Sequence, residues 1–253
     1  MRRYYVLVSA AVAATISACV AAVPPPSVPQ NSSPPAPPVA QLGLLSAAAR
    51  STDKGPSQHN YTELYERLFF QWKNEPVKIF EIGIAEGGSL EMWQAYFPKA
   101  RIFAVDILDK SRFNNPRVTT FIADQANRDQ LQAAIDSSGG DIDVLIDDGG
   151  HTMEQQQVSL GFLFRHVRPG GYYVIEDVHT SLPALWKGYG VARDSSNTTL
   201  RMIENFMRSS SPAIRSRYML DSEMVYLTEH LESVIISHRP ASRSLMCVLK
   251  KKG

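Results

Sequence analysis

Five short β-type runs punctuate the middle of this chain: KIFEI at 78–82, RIFAVDI at 101–107, VTTFI at 118–122, IDVLI at 142–146 and YYVI at 172–175. Each closes on an acidic or glycine-rich turn, and helix-length segments lie between them. Short, nearly continuous Ile/Val/Phe runs suit strands of a parallel sheet covered on both faces. The segment at 90–97 (LEMWQAYF) reads as an amphipathic helix. That at 155–166 reads as a buried one, with Val158, Leu160, Phe162, Leu163 and Phe164 on it. Alternation of this kind predicts an α/β doubly wound sheet, in which ligands bind just past the carboxyl ends of the strands.

The residues at those ends carry the chemistry. Asp147-Asp148-Gly149-Gly150-His151 follows the fourth run, and Glu176-Asp177-Val178-His179 follows the fifth. Side by side, these ends bring Asp148, Glu176 and Asp177 together beside an imidazole. Converging carboxylates suit a hard divalent cation such as Mg²⁺, which relieves their mutual repulsion. The first run enters Gly83-Ile84-Ala85-Glu86-Gly87-Gly88-Ser89, and a helix follows. Strand, glycine turn and helix let backbone approach a nucleotide-like ligand, but the spacing is not the dinucleotide G-x-G-x-x-G. Asp106, closing the second run, is placed to accept ribose hydroxyls. Asp124 and Gln125, after the third, are placed to meet a base.

At these residues the chain resembles the class I S-adenosylmethionine-dependent methyltransferases. It is most similar to the metal-dependent sugar O-methyltransferases of the mycinamicin and macrocin type. The resemblance rests on EIGIAEGGSLEMW (81–93), AVDI (104–107), IDDGGHTMEQQ (146–156) and GGYYVIEDVHTS (170–181), with a weaker upstream match, TDKGPSQHNYTELYERLF (52–69). Ala85 departs from the glycine frequent at its position. The resemblance implies a Rossmann-like, mostly parallel seven-stranded sheet with the last strand antiparallel. It implies that Glu81, Gly83, Gly87, Gly88 and Ser89 shape the methionine end of an S-adenosylmethionine pocket. Asp106 then holds the ribose, and Asp124 and Gln125 the adenine side, with Asp147 beside them. Asp148, Glu176 and Asp177 are implied to bind Mg²⁺ or a similar ion, and His151 to act as general base. A coordinated divalent ion lowers a hydroxyl's pKa, and an imidazole can then accept the proton. The implied acceptor is a hydroxyl of a sugar or other small molecule; a homo-oligomer is also compatible with the resemblance.

Competing readings stay open at this point. Asp147–Gly150 would serve as a plain turn, Glu176-Asp177 as a helix cap, and His151 as a helix-start residue. His59, Tyr61 and Tyr65 either cover the ligand or pack an N-terminal helix on the sheet, and His179 is structural or faces substrate. Trp186 and Tyr189 are placed to wall an acceptor pocket. A nicotinamide dehydrogenase would share the strand–glycine–helix unit but has no use for three converging carboxylates. A tethered carbohydrate-binding module would have no use for a nucleoside pocket. A catechol-like acceptor would chelate a metal as well as a sugar diol does.

The 253 residues divide by composition. Between Arg3 and Arg50 there is no charged side chain, and the stretch 4–23 is apolar or small throughout. Two arginines before such a stretch are the layout of a secretory signal or signal anchor. Ile16-Ser17-Ala18-Cys19 resembles a lipobox, which would make Cys19 a lipidated residue. Eight prolines between 24 and 38 favour extended polyproline II. The expected division is a signal or anchor at 1–23, a linker at 24–45 and a methyltransferase domain at 46–253. Membrane attachment through the N-terminus is therefore expected; the alternative is a cytoplasmic enzyme with its start assigned too early. A net charge of +1 gives no basic face for nucleic acid. The two cysteines, Cys19 and Cys247, cannot pair within the domain, and Cys247 lies in an expected strand, SLMCVLK at 244–250. That strand and ESVIISH at 232–238 are expected to close the sheet as a hairpin.

Overall fold

The computed structural model describes residues 5–8, 41–49, 52–191, 194–209, 211–239 and 244–253. Along the chain run β1 (Tyr5–Val8), α1 (Gln41–Ala48), α2 (Thr62–Phe69), β2 (Lys78–Ile82), α3 (Gly88–Tyr96), β3 (Arg101–Asp106), β4 (Val118–Ile122), α4 (Arg128–Ser138), β5 (Ile142–Asp147), α5 (Met153–Leu163), β6 (Val167–Ile175), α6 (Thr199–Arg208), α7 (Asp221–His230), β7 (Leu231–Arg239) and β8 (Ser244–Lys251). They form one sheet in the order β1-β7-β8-β6-β5-β2-β3-β4. Strands β2 to β6 are mutually parallel, and β8 runs antiparallel to both β6 and β7. The seven strands from β2 onward are the expected doubly wound, mostly parallel sheet with its antiparallel closing strand.

Alternate residues of the parallel strands feed two cores. Phe80, Ile82, Phe103, Val105 and Leu145 face Leu131 and Ile135 of α4, Leu160 of α5 and Met202 and Phe206 of α6. Ile79, Ile102, Ala104, Val144 and Ile146 face Leu42, Tyr65, Phe69 and Trp93 on α1, α2 and α3. Burial on both faces explains why these strands read as continuous apolar runs.

Three features differ from the sequence reading. Helix α1 starts at Gln41, ahead of the expected boundary at 46, because Leu42 packs fully buried in the second core. Strand β1 lies in the stretch expected to stand outside the fold, and pairs parallel with β7 from Tyr5↔Ile235 to Val8↔His238. It covers backbone groups that a sheet edge otherwise leaves unpaired. The expected turn at 168–171 lies inside β6, as an irregularity: Ile142 pairs with Val167 and Val144 next with Tyr172. The intervening Gly170 takes φ +75°, and a Cβ on Gly171 would stand 2.9 Å from the Asp143 carbonyl oxygen. Cys19 and the proline-rich stretch lie outside the described residues; among those described, no helix is long and apolar enough to cross a membrane.

Topology fixes where a site can form. The chain leaves β2 toward β3 and β4, then returns to place β5 on the other side of β2. That reversal opens a crevice at the carboxyl ends of β2 and β5, the switch point of a doubly wound sheet.

Candidate active site

The crevice is a cavity of about 730 Å³, lined among others by Gly83, Gly88, Ser89, Asp106, Asp124, Gln125, Asp148, His151 and Asp177. Its floor is the turn after β2. Gly83 has φ +88°, and a Cβ there would stand 2.0 Å from the Asp148 carbonyl oxygen, so only glycine lets the β2 and β5 ends meet. Asp148 N–H in turn donates to the Ile82 carbonyl at 2.9 Å, and Glu176 N–H to the Asp147 carbonyl at 2.9 Å. These two bonds set the ends of β2, β5 and β6 side by side. Gly87, at φ +81°, caps the start of α3, and a Cβ there would stand 2.5 Å from the Phe113 ring.

At one end of the cavity, Asp106 Oδ2 accepts from the Ile84 and Ala85 N–H groups at 2.9 and 3.3 Å, pinning the glycine turn. Asp124 lines the same end, its Oδ1 accepting from Ala126 N–H at 2.9 Å. Gln125 is buried and held on both sides. Its amide donates to Asp147 Oδ1 at 2.9 Å, and its oxygen accepts from Gly150 N–H at 2.7 Å.

At the other end the donors of Asp148, His151 and Asp177 lie within 4.8 Å of one another. His151 Nε2 stands 3.9 Å from Asp148 Oδ1 and 3.7 Å from Asp177 Oδ2. Both His151 (φ +58°) and Asp177 (φ +53°) hold left-handed backbone, a conformation costly for residues with a Cβ. The neighbouring elements sustain it. Thr152 opens α5 with a capping box to Gln155, Thr180 Oγ1 donates to the His151 carbonyl at 3.0 Å, and Tyr61 O–H donates to Asp177 Oδ1 at 2.6 Å. The 147–150 segment ends β5 and forms the turn after it, His151 stands just ahead of the Thr152 cap of α5, and the same segment carries this convergence.

Four expected site residues do not line the cavity: Glu81, Gly87, Asp147 and Glu176. Asp147 is fully buried beneath it, accepting from Ser159 Oγ at 2.5 Å, Gln125 and Tyr173 O–H at 3.3 Å. The expectation that Asp147 meets the cofactor is corrected: it sits on the core side of β5 and orients Gln125. Burial raises its pKa to about 6 against the pull of these hydrogen bonds. Glu81 stands behind Ser89, whose hydroxyl donates to it at 3.0 Å; burial pushes it up to about 7, opposed by Lys54. Glu176 is fully buried and adjoins the Asp148–His151–Asp177 cluster from behind.

Lys54 is the residue that sequence reasoning missed. Its side chain is 1% exposed, and its ammonium bonds Asp148 Oδ2 and Glu176 Oε2, the latter at 2.9 Å, with Glu81 Oε1 at 4.0 Å. Burial alone would depress its pKa, but Asp148, Glu176 and Glu81 outweigh it and hold the ammonium charged. Tyr65 on α2 donates to the other Glu176 oxygen. Burial nevertheless raises the pKa of both Asp148 and Glu176. The only signal for Lys54 in the sequence is its place in the upstream match at 52–69. Tyr61 and Tyr65 are thus both packing and site residues, one α-helical turn apart. His59 stacks on Tyr61 and His179 (ring centroids 5.2 and 5.9 Å) and faces Asp53 at 3.4 Å. Trp186 and Tyr189 lie outside the cavity, with Trp186 Nε1 donating to the Ser181 carbonyl at 2.8 Å.

No family model matches the chain. It is 39% identical over 168 residues to demethylmacrocin O-methyltransferase of Streptomyces fradiae, covering 62% of this chain and 42% of that protein. It is 38% identical over 159 residues to mycinamicin VI 2''-O-methyltransferase of Micromonospora griseorubida, covering 59% and 39%. Among solved structures, MycE methyltransferase from the mycinamicin biosynthetic pathway, in complex with Mg, SAH and mycinamicin VI, superposes with a TM-score of 0.68. The identity is 30%, over 84% of this chain and 54% of that one. The resemblance to sugar O-methyltransferases of the mycinamicin and macrocin type, and the methyltransferase fold, are borne out. The chain spans about two fifths of the length of these curated relatives.

Proposed function

We propose that this chain is an S-adenosylmethionine-dependent O-methyltransferase that uses Mg²⁺ to methylate a hydroxyl of a sugar or glycosylated small molecule. The observation that carries the reading is one cavity with two chemically distinct ends. One is a nucleoside-sized end with Asp106, Asp124 and Gln125; the other is an acid–imidazole end with Asp148, His151 and Asp177. A relative named for 2''-O-methylation of mycinamicin VI, and a neighbour solved with Mg and SAH, support it.

The residues present fit both groups. A cation fits because the convergent donors carry two carboxylates beside an imidazole nitrogen. A nucleoside fits because Gly83, Gly149 and Gly150 bring bare backbone to the cavity wall, where acidic and amide side chains can receive hydroxyl and amine donors. When bound, the cofactor supplies an electrophilic methyl group and the metal supplies Lewis acidity toward the acceptor hydroxyl.

The chain's own residues do the rest. In this reading Asp148 and Asp177, with Glu176 behind them, hold the cation. His151 Nε2, held by its left-handed backbone between two carboxylates, takes the acceptor proton, and those carboxylates stabilise the imidazolium that forms. Asp106 fixes the ribose by the same carboxylate that pins the glycine turn, so cofactor position and strand register are set together. Ser89 and the start of α3 wall the methyl-bearing end. Holding nucleophile and methyl in line within one walled cavity contributes much of the remaining acceleration.

Expected for His151→Ala is loss of methyl transfer by about 10²–10⁴-fold, the range of general-base catalysis, with S-adenosylmethionine affinity nearly unchanged. Transfer of labelled methyl to a panel of rhamnosides, alongside calorimetric cofactor binding, measures both; a fully active variant would rule out the proposed base.

We further propose, on sequence grounds alone, N-terminal membrane attachment through the uncharged stretch after Arg3 and the lipobox-like 16–19; a cleaved or membrane-embedded segment would give up the pairing of Tyr5–Val8 with β7.

A further inference from the structure

We infer that Lys54 is a built-in counter-cation of the acidic nest, competing with the divalent ion for the oxygens of Asp148 and Glu176. The inference rests on the proposed metal site and adds a residue that governs how that site fills.

Lys54 reaches the nest from the loop before α2, where Thr62 N–H bonds its carbonyl at 3.2 Å and Asn60 N–H returns to Gly55 at 2.8 Å. Its Nζ carries three donors. Two go to Asp148 Oδ2 and Glu176 Oε2, and Glu81 Oε1, a buried oxygen with no hydrogen-bond partner, stands 4.0 Å away. The other Glu176 oxygen is held by Tyr65. Two of the three carboxylates expected to bind metal are therefore already committed, one of them at both oxygens.

Two buried carboxylates, Glu81 and Glu176, and the partly buried Asp148 crowd around one ammonium and repel one another, and a buried charge persists only when paired. Lys54 lets the nest fold before any metal arrives. The same contacts oppose metal entry, since an incoming divalent ion must share or take oxygens from an ammonium and meets its positive charge. Asp177 stands outside this set of contacts: Tyr61 donates to its Oδ1, and its Oδ2 faces His151 Nε2 at 3.7 Å.

The test compares Mn²⁺ binding, read by the loss of the free-ion electron paramagnetic resonance signal, in the wild-type chain, Lys54→Met and Lys54→Arg. Melting temperatures are recorded with and without Mn²⁺. Expected are Mn²⁺ affinity raised at least about tenfold in Lys54→Met, affinity near wild type in Lys54→Arg, and a larger Mn²⁺-induced rise in Tm for Lys54→Met than for wild type. Equal or weaker Mn²⁺ binding by Lys54→Met overturns the inference. So does a Lys54→Met chain that stays unfolded at saturating Mn²⁺, because the divalent ion should substitute for the ammonium. A wild-type chain that binds no Mn²⁺ at all would instead remove the metal reading itself, and the inference with it.

Discussion

Tyr65 donates its hydroxyl to Glu176, a carboxylate with no access to water, and its ring packs edge-on against Trp93 at 5.3 Å. Removing one donor from a buried charge leaves the desolvation penalty uncompensated, at a cost of about 1–3 kcal/mol. Tyr65→Phe keeps the ring, so urea denaturation should show a loss of that size; an unchanged midpoint would mean the hydroxyl bond is not formed. A second prediction concerns His59 and Asp53. Their contact raises the His59 pKa from 6.5, the hydrogen bond to Asp53 outweighing partial burial, and lowers that of Asp53 to about 2. The raised imidazole adds stability fully present below 6.5 and lost as pH climbs through the folded value. The depressed carboxylate adds stability present above 3.8 and lost as pH falls toward 2. Both therefore act together only between those limits, and weakly, since the Asp53 side chain is 45% exposed. In Asp53→Asn, the His59 titration followed by NMR should move back toward 6.5; an unmoved midpoint would assign the shift to other groups.

At the level of elements, the glycine turn joins the sheet to the site. Gly83→Ala must place a methyl group 2.0 Å from the Asp148 carbonyl at a φ of +88°. The β2 and β5 ends have to separate, so this variant should lose cofactor affinity and melt at lower temperature; calorimetry and a thermal scan report the two, and wild-type values in both would contradict the packing. How much could be read beforehand follows the same logic. Strands β2 to β6 announced themselves because both faces are buried, and the acidic residues did because strand ends in parallel sheets point one way. Asp148 and His151 converge as the DDGGH spacing suggested. Lys54 did not announce itself: nothing in a local window says that a lysine in a polar loop is buried, and only the fold brings residue 54 to residues 81, 148 and 176. Asp147 misled for the opposite reason. It adjoins Asp148 in sequence, but successive strand residues point to opposite faces, which sends it into the core. The 168–171 segment reads as a turn by composition, yet tertiary pairing absorbs it into β6.

At the scale of the whole molecule, the sheet of the described residues divides two cores and opens the crevice at its switch point, and every element with a proposed role reaches that crevice from the carboxyl side of the sheet. Helix α2 and the loop before it cover the acid end, which makes the N-terminal part of the described domain a component of the site. The relatives are more than twice as long as the segment they share with this chain, so acceptor choice is best sought by experiment on this chain itself. On this reading the cavity is built for S-adenosylmethionine. That is tested most directly by calorimetric titration of S-adenosylmethionine into the purified chain, with and without Mg²⁺. Expected is saturable one-to-one binding that needs Gly83 and Asp106 and persists in His151→Ala. A folded chain that shows no binding at millimolar cofactor, in either condition, would contradict it.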